Sequence, residues 1–245
     1  MGHHGGVNAP TTARARVRAE LTREIKDAAR RQLAEQGTSG LSLRAVAREL
    51  GMVSSAIYRY FPSRDDLLTA LIIDAYDDVG AAAEAGDAAC RRDDYGGRWV
   101  AATKAVRAWA RANPHEYALI YGSPVPGYAA PEDTIGPATR VTAVMTTVLA
   151  DAVAADALVE PTGLPPAPRA VQRDVARLRE LVPSVPPEIM TRGLIAWTQV
   201  FGAVSFELFG HLHNVVEEHE AFFDHAMAVM AAYVGLPSKG LRSRR

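Results

Sequence analysis

Residues 42–64 constrain the fold most, because their pattern predicts two short helices joined at a glycine. Apolar residues of the first helix follow helical spacing, and Gly51 supplies the positive φ that ends it. A second helix of roughly seven residues is predicted to begin near Ser54, with Ile57 and Phe61 facing inward. This pattern predicts a helix-turn-helix.

The second of these helices has polar side chains left on its outer face. Hydroxyl and guanidinium groups bond phosphates and base edges, and tyrosine rings lie against the sugar backbone. An ordinary helical hairpin in a larger bundle is the alternative, but few hairpins place such a set on one short face. The outward-facing residues are Ser54, Ser55, Tyr58, Arg59 and Tyr60.

The charge of the chain is distributed unevenly, although its net value is only −1. Residues 1–64 hold eleven basic and five acidic residues, a balance of +6, and the remainder holds sixteen against twenty-three, a balance of −7. A basic module beside an acidic one is typical of phosphate neutralisation by one part of a protein. Arg14, Arg16 and Arg18 either enter a flanking minor groove or belong to a solvated arm.

These residues resemble the TetR family of bacterial transcriptional regulators, whose recognition helix ends in Leu-Tyr-x-His-Phe followed by a basic residue. The chain has Ile57-Tyr58-Arg59-Tyr60-Phe61 and then Arg64, and the similarity runs over about residues 21–71. The chain departs from the family pattern at the helix cap, Val53, and at Ser55, where the family has glycine. Ser54 is the expected substitute cap.

The resemblance implies a role for each matching residue. Arg44 and Arg59 would contact base edges, while Ser54, Ser55 and Ala56 would face the groove from the helix N-terminus. A second group would hold the DNA backbone. Its members are Tyr58, Tyr60 and Arg64.

Beyond the helix-turn-helix, apolar periodicity continues as helices, so an all-α fold is expected. The predicted organisation is a disordered arm (1–13), a DNA-binding domain (14–63) and a C-terminal helical ligand-binding and dimerisation domain (64–245). Within the last lie a proline-rich linker (161–168) and a basic flexible tail (236–245). The apolar stripe of the first long helix is expected to include Val17. No stretch is long and apolar enough for a membrane span, so a cytoplasmic location is expected.

Large adaptable side chains in the C-terminal part are candidates for a pocket that takes a small hydrophobic or aromatic effector. Each of them is also compatible with plain core packing. The candidates are Trp99, Trp109, Tyr117, Tyr121, Met145, Trp197 and Phe201.

The last two helices predict a two-fold, four-helix dimer interface, because apolar residues cover much of the first and small residues allow close approach. Packing within one chain is the alternative. The candidates are Gly202, Ser205, Phe206, Phe209, Phe222, Phe223, Met227 and Met230. Trp197 to Gly202 also resembles a TetR subgroup named for a Trp-His-Gly motif, with Phe201 at the histidine position.

The resemblance implies a homodimeric repressor that binds a palindromic double-stranded DNA operator and is released by a small effector. Two alternatives are weighed against it. A metal-dependent enzyme would use the histidines and carboxylates near the last helix junction, whose side chains diverge. A protein-interaction adaptor without DNA binding conflicts with the intact basic and tyrosine positions. We therefore expect no catalytic site, no cofactor and no metal.

Overall fold

A computed structural model describes residues 13–178 and 183–237 of the chain. These residues form helices and connecting turns with no β-strand among them, so the predicted all-α fold is confirmed. A short 3-10 helix, Glu132–Thr134, precedes the seventh α-helix. In chain order the α-helices are α1 Ala13–Gly40, α2 Leu43–Glu49, α3 Ser54–Ile57, α4 Arg64–Ala88, α5 Tyr95–Ala112, α6 Pro114–Tyr121, α7 Ile135–Ala154, α8 Arg169–Leu178, α9 Pro187–Leu208 and α10 His219–Tyr233.

The chain divides into two compact units. The first comprises the residues up to Leu71 together with Val125–Tyr128, and the second comprises Ile72–Pro124 and the residues from Ala129 onward. Helix α4 contributes residues to both units, because the division falls between Leu71 and Ile72. The domain boundary at residue 64 remains a prediction from the sequence. The predicted terminal arm up to residue 12 and the tail from residue 238 lie outside the described residues.

In the first unit, α1, α2 and α3 pack around a small apolar core. Ile25, Val46 and Ile57, one from each helix, are fully buried. Gly37 breaks the end of α1 with a φ of 68°, and Gly51 turns the chain between α2 and α3 with a φ of 65°. Both values lie in the left-handed region that glycine adopts without steric cost.

Two local expectations in this unit are wrong. Val17 is 56% exposed, because the first two turns of α1 extend beyond the packed part of the unit. The recognition helix has four residues instead of about seven, and Val53, not Ser54, is its N-cap. Turns continue the segment through Tyr60, whose N–H donates to the Ile57 carbonyl at 2.9 Å.

The second unit is a helical bundle built around α5, which packs on α7, α9 and α10. Helix α6 begins at Pro114 with Asn113 as its N-cap, where proline costs no hydrogen bond because the first helical N–H has no intrahelical partner. Helix α8 was not predicted. It follows the proline-rich linker and packs on α9, and among its residues Val175 is buried.

A buried ion pair contributes to the contact of three helices in this bundle. The Arg107 guanidinium of α5 donates twice to the Glu207 carboxylate of α9, at 2.6 and 2.8 Å, and both side chains are 8% exposed. The same guanidinium lies 5.4 Å from the ring centroid of Phe223 on α10. The buried pair therefore joins α5 directly to α9, with the Phe223 ring of α10 beside it.

Candidate functional site

Helix α3 and the turn after it carry most of the predicted DNA-contacting side chains, and the other two, Arg44 and Arg64, lie on α2 and at the start of α4. Ile57 and Phe61 point into the core and hold the segment in place. Of the remaining residues, those predicted to contact DNA split into two groups by exposure. Arg44, Ser54, Ser55, Tyr58 and Arg59 are exposed, whereas Ala56, Tyr60 and Arg64 are half-buried.

The exposed members present donors that suit phosphates and base edges. Arg44 and Arg59 carry guanidinium groups, which bond guanine in a bidentate geometry, and Ser54 and Ser55 add hydroxyls at the N-terminus of α3. Arg44 lies on α2, which α1 supports through an ion pair of 2.7 Å between Arg31 and Glu49. This surface is therefore cationic and carried by packed helices.

Arg64 has bonding partners within the unit that sequence alone did not indicate. Its Nη2 donates to the Thr38 carbonyl at 2.6 Å, its Nε donates to the Leu41 carbonyl at 3.2 Å, and its Nη1 lies 3.2 Å from an Asp65 oxygen. Ser63 immediately before it accepts from the Asp66 N–H and donates to the Asp66 carboxylate. The start of α4 is thus tied to the end of α1.

Arg18 was predicted only as a residue of a flanking minor-groove contact or of a solvated arm, yet it contacts the recognition segment. Its Nη2 donates to the Arg59 carbonyl at 3.0 Å, and its guanidinium lies 5.2 Å from the ring centroid of Tyr60. The basic run at the N-terminus was the only sequence signal for this residue, and that signal did not specify a contact across 41 positions.

An aromatic cluster lies in the second unit, where three helices contribute to it. Tyr121 is at its centre, with ring centroids 4.2 Å from Phe201, 5.1 Å from Tyr117 and 5.9 Å from Tyr76. Trp197 extends the cluster, 5.3 Å from Phe201. Tyr76 was missed, although it lies four residues after Ile72 on the apolar stripe of α4 and could have been found by that spacing.

The hydroxyl groups of this cluster have different surroundings. Tyr117 Oη donates to the Phe201 carbonyl at 3.0 Å and lies 2.9 Å from Ser205 Oγ. Burial raises the pKa of Tyr117, an effect that the Ser205 hydrogen bond partly offsets. Burial, with smaller contributions from Tyr76 and Tyr117, also raises the pKa of Tyr121. Tyr117 and Tyr121 are therefore neutral at physiological pH.

The predicted pocket residues fall into two groups. Trp99, Tyr117 and Met145 are buried, whereas Trp109, Tyr121, Trp197 and Phe201 are half-buried. The structure brings Tyr117, Tyr121, Trp197 and Phe201 together in the aromatic cluster. Among the described residues, Trp197 Nε1 is buried with no hydrogen-bond partner, so this part of the cluster has an unused donor.

Helices α9 and α10 share an outer face with exposed apolar groups. Around a groove between the two helices lie Gly202, Phe206, Phe222 and Met230. Phe206 is 55% exposed and Phe222 is 44% exposed, and open space surrounds Gly202. Of the other predicted interface residues, Phe209 is exposed and Ser205 is half-buried, whereas Phe223 and Met227 belong to the core of the unit itself.

The structure provides no support for a metal centre in residues 13–178 and 183–237. No group of three or more histidine, cysteine, aspartate or glutamate side chains in these ranges is arranged to hold an ion. His219 Nδ1 lies 3.9 Å from Glu207, which already binds Arg107. Nor does any helix in these ranges combine the length and apolarity that a bilayer crossing requires.

Two family models match the chain. The model described as "Bacterial regulatory proteins, tetR family" matches residues 25–71, which contain the helix-turn-helix. The model described as "Tetracyclin repressor-like, C-terminal domain" matches residues 99–230, which contain the aromatic cluster from α6 onward and the outer face of α9 and α10.

Similar proteins are named as regulators. The HTH-type transcriptional regulator Rv1816 of Mycobacterium tuberculosis H37Rv is 40% identical over 195 residues, which are 79% of this chain and 83% of that protein. The crystal structure of the regulatory protein SCO4313 aligns with a TM-score of 0.70 at 33% identity and covers 90% of this chain and 100% of that one. The TetR-family regulator PfmR of Thermus thermophilus shares the fold, with a TM-score of 0.54 at 16% identity, over 89% of this chain and 99% of that one.

Proposed function

The chain belongs to the TetR family and is a transcriptional regulator with a DNA-binding helix-turn-helix, and from this we propose that it is a homodimeric repressor of the bacterial cytoplasm. In this proposal it binds a palindromic operator and leaves it when a small hydrophobic or aromatic effector binds the second unit. The family and its homologues are regulators, not enzymes. The observation that carries the proposal is the cationic surface on α2 and α3.

On that surface the proposed roles follow from exposure and chemistry. Arg59 and Arg44 contact base edges, because both guanidinium groups are exposed. Ser54, Ser55 and Ala56 face the major groove at the N-terminus of α3. The residues that hold the DNA backbone are Tyr58, Tyr60 and Arg64.

Dimerisation through α9 and α10 is supported by the exposed apolar groups on their shared outer face. Large exposed aromatic residues beside an accessible glycine favour close packing of two helices against their symmetry mates. A single one-turn recognition helix contacts few base pairs, so a second copy doubles the specific contacts.

The effector is proposed to bind at the aromatic cluster. Its rings offer stacking surfaces, Tyr117 and Tyr121 are neutral, and Trp197 Nε1 offers a donor to a carbonyl or hydroxyl oxygen. Release requires that the effector bind the DNA-incompetent arrangement more tightly. Helix α4 starts beside the recognition segment in sequence and carries Tyr76 of the cluster, so it is the covalent connection between the two sites.

Selection of bound fragments from a random DNA pool, at two salt concentrations, tests the proposal. An inverted repeat is expected, with affinity that falls steeply as salt rises. Salt-sensitive binding without a motif would contradict operator recognition. No binding at either salt concentration would favour the adaptor alternative, which lacks DNA binding.

Effector binding is tested with the selected duplex. Small aromatic compounds are screened for quenching of tryptophan fluorescence, and a compound that quenches is expected to lower operator affinity. The Trp197→Phe variant should lose most of that quenching, whereas Trp109→Phe, outside the ring contacts of the cluster, is the matched control. Equal loss in both variants, or quenching without release of DNA, would contradict the proposed site.

A further inference from the structure

Residues 13–20, the first two turns of α1, are exposed along their whole length, and full burial begins at Ile25. These turns therefore contribute little to the core of the first unit. Arg18 nevertheless reaches from them to the recognition segment, through the hydrogen bond to the Arg59 carbonyl and the contact over the Tyr60 ring.

The recognition segment needs such support because its helix is one turn long. Helix α3 ends at Ile57, so the Arg59 carbonyl lies in the turn after it and not in a continuing helix. A guanidinium at this position supplies a donor to the carbonyl and a positive charge near the negative end of the short helix. Over Tyr60 it also gains a cation–π contact that restricts the half-buried ring.

Both contacted residues belong to the DNA-reading surface. The Arg59 side chain is exposed, so its direction depends on the backbone that Arg18 holds. We propose that Arg18 is a positioning residue for operator recognition, which fixes the backbone of Arg59 and the ring of Tyr60 in the geometry that reads DNA. This inference goes beyond the helix-turn-helix and rests on the proposed roles of Arg59 and Tyr60.

A positioning role and a direct phosphate contact predict different changes in DNA affinity when Arg18 is replaced. Arg18→Ala is expected to lower operator affinity about tenfold, from loss of one hydrogen bond and one cation–π contact, and to lower affinity for a scrambled duplex far less. The salt dependence of operator binding should stay unchanged. Arg18→Lys keeps the charge but not the planar donor, so it should recover only part of the preference for the operator over the scrambled duplex.

Arg23→Ala is the matched control, since it removes the same charge from another exposed position of α1, five residues later, that has no proposed role in DNA binding. This variant should keep the wild-type ratio of operator to scrambled affinity. An Arg18→Ala protein that binds both duplexes equally weakly, with a salt slope reduced by about one, would overturn positioning in favour of a phosphate contact.

Hydrogen exchange without DNA tests the same inference independently of the operator. The N–H groups of Arg59, Tyr60 and Phe61 donate to the Ala56 and Ile57 carbonyls, and they should exchange several-fold faster in Arg18→Ala than in wild type or Arg23→Ala. Unchanged exchange in this segment would overturn the inference. Arg18→Lys provides the same readout should the alanine variant fail to fold. If wild-type protein selected no operator, the proposed function would fail, while this measurement would still show whether Arg18 holds the backbone of the recognition segment.

Discussion

Arg64 serves the fold and a proposed DNA contact with the same side chain. Its guanidinium bonds the carbonyls of Thr38 and Leu41, which lie at the end of α1 and just before α2. The resemblance assigns the residue at this position to the DNA backbone, and the structure adds a structural role that the motif does not reveal. Arg59, by contrast, is exposed and uses only its backbone within the unit.

These different surroundings predict different outcomes for two alanine variants. Arg59→Ala should relax base preference at a cost of about 1–3 kcal/mol in operator affinity, with the free energy of unfolding unchanged. Arg64→Ala should weaken binding to all sequences alike and lower the free energy of unfolding by about 1–3 kcal/mol, because two carbonyls lose a charged donor. Anisotropy titrations on operator and scrambled duplexes, with urea unfolding, measure both. Identical profiles for the two variants would refute the assignment.

At the scale of helices, the Arg107–Glu207 pair is a buried link between α5 and α9. The two residues are 100 positions apart and both are buried, with Phe223 of α10 beneath the guanidinium. Lys104 and Asp224 form another pair between α5 and α10, at 2.6 Å, but both side chains are more than a third exposed. Burial therefore separates a pair whose rupture would leave a charge away from water from a pair that solvent screens.

Removing one member of the buried pair should destabilise the bundle strongly. Glu207→Leu leaves the Arg107 charge buried without its partner and is expected to lower the free energy of unfolding by about 3–5 kcal/mol. The double variant Arg107→Met/Glu207→Leu should recover most of that loss, since it leaves no unpaired buried charge: Arg111, which also lies 3.5 Å from Glu207, is 56% exposed. Lys104→Met is the matched control and should change stability by about 1 kcal/mol or less. Urea unfolding of the four proteins measures this, and a double variant as unstable as Glu207→Leu would contradict the explanation.

At the scale of the whole molecule, the proposed dimer interface is the outer face of α9 and α10. Within one chain this face has apolar side chains exposed and a glycine at position 202 with open space around it. A Cβ added at this position would meet no other atom of the chain within 4 Å, so the backbone tolerates a side chain there. A loss of association on such a change would therefore point to a second molecule packed against the face.

Gly202→Leu is expected to convert the proposed dimer to a monomer and to reduce operator affinity more than tenfold, while the helical content of the chain is retained. The physical reason is that the added side chain separates two helices that pack closely at glycine. Gly136→Leu is the matched control, because Gly136 also lies in a helix with open space around it. Sedimentation velocity and operator titration measure the outcome. A dimeric Gly202→Leu protein would refute this interface.

The amino-acid sequence by itself determined the helical fold and the helix-turn-helix, because apolar spacing, Gly51 and the Tyr58–Phe61 motif act over neighbouring residues. It did not determine the length of the recognition helix, where turns replace the last helical residues. Only the tertiary structure decided the contacts of Arg18 with Arg59 and the grouping of the aromatic rings. These contacts join residues that are distant in the chain, so they depend on how the helices pack, and a local pattern does not encode that packing.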